Sequence, residues 1–132
     1  MNALGKHLLL ELRDCNREIL NDLPYLRTTL LTAADRVGAT VIGQSFHQFS
    51  PHGVTGVIAI AESHLCIHTW PEYGYAAVDI FTCGEGFNPQ DAVPLVVESL
   101  ESQNHSVTEV SRGILPELAG ICLLYTSPSP RD

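Results

Sequence analysis

The stretch AESHLCIHTWPEYGYAAVDIFTC, residues 61–83, gathers a carboxylate, a hydroxyl, two imidazoles and two thiols into runs that otherwise read as apolar strands. His64, Cys66 and His68 alternate, so on a strand they share a face, and with Cys83 they supply the ligand types of a zinc site. Residues four apart on a strand are separated by about 13 Å, too far for His64 and His68 to hold one ion, so no metal is expected. Ser63, His68 and Asp79 carry the side chains of a serine-hydrolase triad, but the serine lacks the G-x-S-x-G elbow that exposes such a nucleophile. Satisfaction inside a sheet accounts for any one of these polar groups and poorly for all of them together.

These residues need a scaffold, and the composition allows one folded domain: 45% of residues are apolar and 17% charged. Fifteen acidic residues against seven basic ones give a formal charge of −8, and no segment concentrates Lys or Arg. The counterion release that drives nucleic-acid binding is therefore missing. Apolar runs fall short of the roughly 20 residues that span a bilayer, and the first residues lack a signal-peptide profile, so no membrane partner and a cytoplasmic location are expected. Cys15, Cys66, Cys83 and Cys122 show no CxxC spacing and are expected to remain thiols.

GKHLLLELRDC (5–15) reads as an edge or first strand. With Asn16 as N-cap, Ile19, Leu20, Leu23, Leu26, Leu30, Leu31, Ala34 and Val37 recur at helical spacing as far as Gly38, with a break expected near Pro24. Residues 39–49 and 54–63 form a strand pair around SPHG, and HLCIHTW and YAAVDIFTC repeat the pattern around PEYG. A second helix spans 88–102 and a last strand 105–113. Short connections favour antiparallel neighbours, and the order βαβββαβ predicts an α+β fold: an antiparallel β-sheet with two helices packed on one face. The other face, expected to be apolar, calls for a second copy, giving an α/β/β/α sandwich.

The end of the chain, CLLYTSPSPRD, has no periodicity that joins it to the domain, and it back-translates without strain into a string that resembles a transposon-based sequencing adaptor. The expectation is one domain over 1–121, with 122–132 not native.

ESHLCIHTWPEYGYAAVDIFTCG (62–84) closely resembles the signature of the bacterial and archaeal S-adenosylmethionine decarboxylase proenzymes. LGKHLLLEL (4–12), GAT (38–40), FHQFSPHGVTGV (46–57) and SRG (111–113) extend the resemblance over most of residues 4–113. It implies self-cleavage between Glu62 and Ser63, leaving a β chain of 1–62 and an α chain from 63 onward. The Ser63 hydroxyl attacks the Glu62 carbonyl and converts the amide to an ester. Loss of the Ser63 α-proton then expels the Glu62 carboxylate, and the dehydroalanine left behind hydrolyses to a pyruvoyl group and ammonia.

By the same resemblance His68 is the processing base, and Thr55, standing where the family often has serine, supports the oxyanion. The pyruvoyl cofactor derived from Ser63 forms a Schiff base with the substrate amine and accepts the electrons released with carbon dioxide. Cys83 matches the proton donor; an ordinary thiol, with a pKa of about 8.5, is largely protonated at neutral pH. Glu72 matches the carboxylate that holds the ribose hydroxyls, Phe49 is a candidate to stack on adenine across a dimer interface, and Glu11 adds negative potential near the cationic substrate. Cys66 is read as a small buried hydrophobe.

The implied activity is decarboxylation of S-adenosylmethionine for spermidine biosynthesis by a homodimer of cleaved protomers. One rival keeps the pyruvoyl chemistry and takes arginine or ornithine; another is an uncleaved homologue that only binds a ligand.

Overall fold

Alternation along the strands decides which residues meet. The structure, a computed structural model, describes residues 3–61, 63–83 and 88–115, so Glu62 and the 122–132 tail lie outside the described residues. The elements are β1 (Gly5–Arg13), α1 (Leu23–Arg36), β2 (Val41–Gln48), β3 (Val54–Ile60), β4 (Ser63–Trp70), β5 (Tyr75–Cys83), α2 (Val93–Ser99) and β6 (Asn104–Arg112). The strands form one sheet in the order β2-β3-β4-β5-β1-β6, antiparallel at every pairing.

The architecture is the expected α+β fold, with local differences. β1 is the first strand but not an edge, because β6 returns after α2 and pairs with its outer side, Leu9 opposite Thr108. Four strands separate the helices, one more than βαβββαβ holds. Ser63, expected at the end of the preceding strand, opens β4 opposite Ile60.

Asn16 does cap, accepting from the Glu18 and Ile19 amides at 2.9 and 3.1 Å, but what it caps is a single turn at Ile19–Asn21. The long helix starts afresh with Asp22, whose carboxylate accepts from the Tyr25 amide at 3.1 Å. Pro24 falls in the first turn of α1, where its missing N–H has no partner to lose, so it starts the helix instead of breaking it. Gly38, at φ 80°, ends it.

One sheet face carries Leu8, Leu10, Leu12, Ile58, Ile60, Leu65, Ile67, Val78 and Ile80, all buried against Leu26, Leu30, Ala33 and Ala34 of α1 and Val96 of α2. Each such leucine or isoleucine contributes about 1.5–3 kcal/mol by leaving water. The helices lie side by side, with the Tyr25 hydroxyl donating to the Ser99 carbonyl at 2.7 Å.

The open face is not the apolar surface expected. Half-exposed Val57 and Val110 share it with Glu11, His64, Cys66, His68 and Asp79. The period of two that sends Leu65 and Ile67 inward sends their polar neighbours outward. Among the described residues no helix is long and apolar enough to cross a membrane.

Buried Thr69 joins the Ile19–Asn21 turn to the sheet: its hydroxyl accepts from the Val54 amide at 2.8 Å and donates to the Leu20 carbonyl at 2.7 Å. Thr69→Val keeps the volume and leaves both partners unsatisfied. The urea midpoint is expected to fall by the equivalent of about 1–3 kcal/mol at unchanged slope. An unmoved midpoint would show that water replaces the threonine without loss.

Candidate active site

Two groups of side chains occupy opposite ends of the sheet. At one end Ser63, only 9% exposed, accepts the Cys83 amide N–H on its Oγ at 3.0 Å. The first residue of β4 and the last of β5 are thereby joined.

Beside them on the open face His7, His64 and Phe81 pack together, with His64 stacked on Phe81 at 5.5 Å and His7 edge-on to Phe81 at 5.6 Å. Arg112 Nη1, which can only donate, lies 3.4 Å from His7 Nδ1. His7 Nε2 faces Asp79 Oδ2 at 3.7 Å, beyond hydrogen-bond length, and has no hydrogen-bond partner among the described residues.

At the other end strand register lines up Thr55, His68, Ala77 and Glu11 across β3, β4, β5 and β1. Thr55 Oγ1 is 3.2 Å from His68 Nδ1. The Tyr75 hydroxyl donates to Glu11 Oε1 at 2.6 Å, and Trp70 lies between Tyr75 and His68, with ring centroids 5.4 and 6.5 Å away. Phe49, at the β2–β3 connection, is 47% exposed and packs edge-on to His47 at 4.5 Å. Glu72 belongs to the turn Pro71–Tyr73 that follows β4, and its Oε1 lies 3.1 Å from His52 Nε2.

The structure therefore brings Ser63 to Cys83, and gathers Thr55, His68, Glu11, Phe49 and Glu72 at the far end. It does not bring Ser63 to His68. Five residues along β4 separate them by roughly 16 Å, and an odd separation puts their side chains on opposite faces. Cys66 is only partly buried and stands beside Asp79 on the open face; burial first, and the Asp79 charge second, push its thiol pKa up.

The profile of the family described as S-adenosylmethionine decarboxylase matches residues 6–113. The chain belongs to the S-adenosylmethionine decarboxylase family. The S-adenosylmethionine decarboxylase proenzyme of Thermodesulfovibrio yellowstonii is 53% identical over 115 residues, which cover 87% of this chain and 85% of that one. The proenzyme of the same name from Clostridium kluyveri is 46% identical over 121 residues, covering 92% and 96%. The crystal structure of the adenosylmethionine decarboxylase from Aquifex aeolicus superposes with a TM-score of 0.81 at 33% identity, covering 87% of this chain and 95% of that one. The six-stranded sheet with its two helices is thus a decarboxylase-family fold.

Sequence reasoning missed His7, His52, Tyr75 and Arg112 as neighbours of the site. Tyr75 and Glu11 are 64 positions apart, and only the β1–β5 register makes them partners.

Burial and the adjoining Glu11 carboxylate push the Tyr75 pKa up to about 12. The folded protein holds this proton more tightly than the unfolded chain, so the stabilisation is complete below the ordinary tyrosine value of 10.0 and is lost as pH rises towards about 12. Ultraviolet titration of the wild type, with Tyr75→Phe subtracted, is expected to give that late midpoint, and Glu11→Gln to lower it. A midpoint indifferent to Glu11→Gln would mean that the carboxylate has no part in the shift.

Proposed function

We propose that this chain is a self-processing, pyruvoyl-dependent decarboxylase that converts S-adenosylmethionine to decarboxylated S-adenosylmethionine and carbon dioxide, the product serving spermidine synthesis. The observation that carries the reading is the Ser63–Cys83 pair at the head of β4, in a chain whose relatives are named proenzymes. Residue 63 is nearly buried, and its Oγ already receives a backbone N–H. A pyruvoyl group made from this serine would be shielded from water, and because the serine Oγ leaves with Glu62, the Cys83 N–H that it occupied would be free to meet an acceptor on the new group, so the residues present fit it. The group supplies a carbonyl that condenses with the substrate amine and takes up the electron pair released with carbon dioxide.

The remaining chemistry falls to the side chains. Cleavage divides the domain, 1–121, into a β chain of 1–62 and an α chain starting at residue 63, with 122–132 foreign to it. The Ser63 hydroxyl is the nucleophile on the Glu62 carbonyl. His68, whose Nδ1 lies 3.2 Å from Thr55 Oγ1, is the base that removes the α-proton of residue 63 through its other ring nitrogen. The Thr55 hydroxyl also serves the oxyanion of the first step. Cys83, whose amide donates to Ser63 Oγ, returns a proton to the substrate carbon from its thiol. Glu72 accepts from the ribose hydroxyls, Phe49 stacks on the adenine, and Glu11 adds negative potential for the sulfonium.

Within one protomer His68 stands too far from Ser63 to touch its α-proton. A second copy packed sheet to sheet about a twofold axis would supply what is missing: the His68 end of one open face then lies over the end of the other at which β4 begins, and the approach is to the α-carbon of Ser63, whose side chain points to the helix face. The half-exposed Val57 and Val110 and the polar rows between them suit such a partially polar interface. The homodimer then holds two sites, each built from both protomers.

Intact mass under denaturing conditions tests the processing. Two chains split after Glu62, the larger lighter by one ammonia than a serine-started chain, are expected, and Ser63→Ala should give one uncut mass. Carbon dioxide released from arginine or ornithine, and not from S-adenosylmethionine, would sink the substrate assignment.

The shared site is tested by mixing defects. His68→Ala alone is expected to slow cleavage about 10²- to 10⁴-fold. When Ser63→Ala and His68→Ala chains are co-produced, the His68→Ala chain should again be cut, because its Ser63 meets the intact His68 of its neighbour. Continued failure to cut in verified mixed dimers would overturn the cross-protomer arrangement.

A further inference from the structure

We infer that His52 is a positioning residue for Glu72, holding one carboxylate oxygen so that the other oxygen faces the ribose of the substrate as a fixed acceptor. The inference rests on the proposed role of Glu72 and adds a residue that no part of that role requires. His52 Nε2 lies 3.1 Å from Glu72 Oε1, with the side chains 38% and 41% exposed. A pair this open contributes little to stability, so its consequence is geometric.

The two partners come from connections that are otherwise independent. Glu72 sits in the turn Pro71–Tyr73, closed by the Gly74 amide donating to the Pro71 carbonyl at 3.1 Å, with Gly74 at φ 63°. His52 sits in the β2–β3 connection, whose base is clamped: the Phe49 amide donates to the Gly53 carbonyl at 2.8 Å, and the Gly53 amide donates to Asn21 Oδ1 at 2.8 Å. The same connection carries Phe49. His52 therefore ties the residue proposed to stack on adenine to the residue proposed to hold the ribose, and fixes the spacing between those two parts of one nucleoside.

A glutamate on an exposed turn has three rotatable bonds, and each rotamer lost on substrate binding weakens binding. A carboxylate with one oxygen occupied by an imidazole keeps acceptor sites for the two O–H donors of a vicinal diol. Preorganisation of this kind acts on binding and leaves the decarboxylation step untouched, so its signature is in KM and in the preference for an intact ribose.

The test uses purified, self-cleaved protein with S-adenosylmethionine and its 2′-deoxy analogue. His52→Ala is expected to raise KM for S-adenosylmethionine about tenfold with kcat within about twofold, because Glu72 is then free to leave the pose that accepts the ribose. It should also shrink the discrimination against the 2′-deoxy analogue. His52→Gln, which keeps an N–H donor at similar reach, should restore most of both, and His52→Ala should add nothing to KM when Glu72 is already Gln.

Self-cleavage at wild-type rate certifies that each variant is folded. If Glu72→Gln raises KM and His52→Ala does not, the positioning role is wrong and the ribose role of Glu72 stands. If Glu72→Gln leaves both KM and ribose discrimination unchanged, the reading of Glu72 fails and the inference fails with it.

Discussion

The period-two alternation of β4 is the constraint on which the other features depend. Leu65 and Ile67 must face the helices, because the core they share with Leu26, Leu30 and Val96 is the main source of stability. Once they do, His64, Cys66 and His68 must face the other way. A shift of one residue would bury three polar side chains and expose two large apolar ones, so the hydrophobic pattern fixes the register and the register fixes which chemistry reaches the open face.

The same strand separates Ser63 from His68. Ser63 and Cys83 meet at one end because β4 begins where β5 ends; His68 meets Thr55 at the other because β3 runs back alongside. A strand is stiff, and no loop motion brings its two ends together. A single protomer of this fold therefore keeps Ser63 and His68 at opposite ends of β4 and on opposite faces of the sheet, and the proposed second copy is what would bring one to the other. On the proposed roles of Ser63 and His68, self-processing depends on assembly.

Much of the architecture was legible in the sequence. Apolar runs on either side of the turn PEYG marked HLCIHTW and YAAVDIFTC as strands, helical spacing marked α1 as far as Gly38, and the resemblance of residues 62–84 to the proenzymes pointed to the family before any geometry was known. Boundaries were harder. Pro24 reads as a breaker in a pattern that starts at Asn16, and only the Asp22 cap reveals it as a first-turn residue. The polarity of the open face was also misjudged, since an apolar average over β4 and β5 hides which of the alternating positions points where.

By itself the sequence determined the residue types available for chemistry, the period of each element and the family, because all three are properties of local order along the chain. Only the tertiary structure decided which residues are neighbours: Tyr75 with Glu11, His52 with Glu72, Arg112 with His7, and Ser63 apart from His68. The physical reason is register. Hydrogen-bonded pairing between strands distant in sequence is set by the packing of the whole sheet against its helices, and no spacing within a single strand records it.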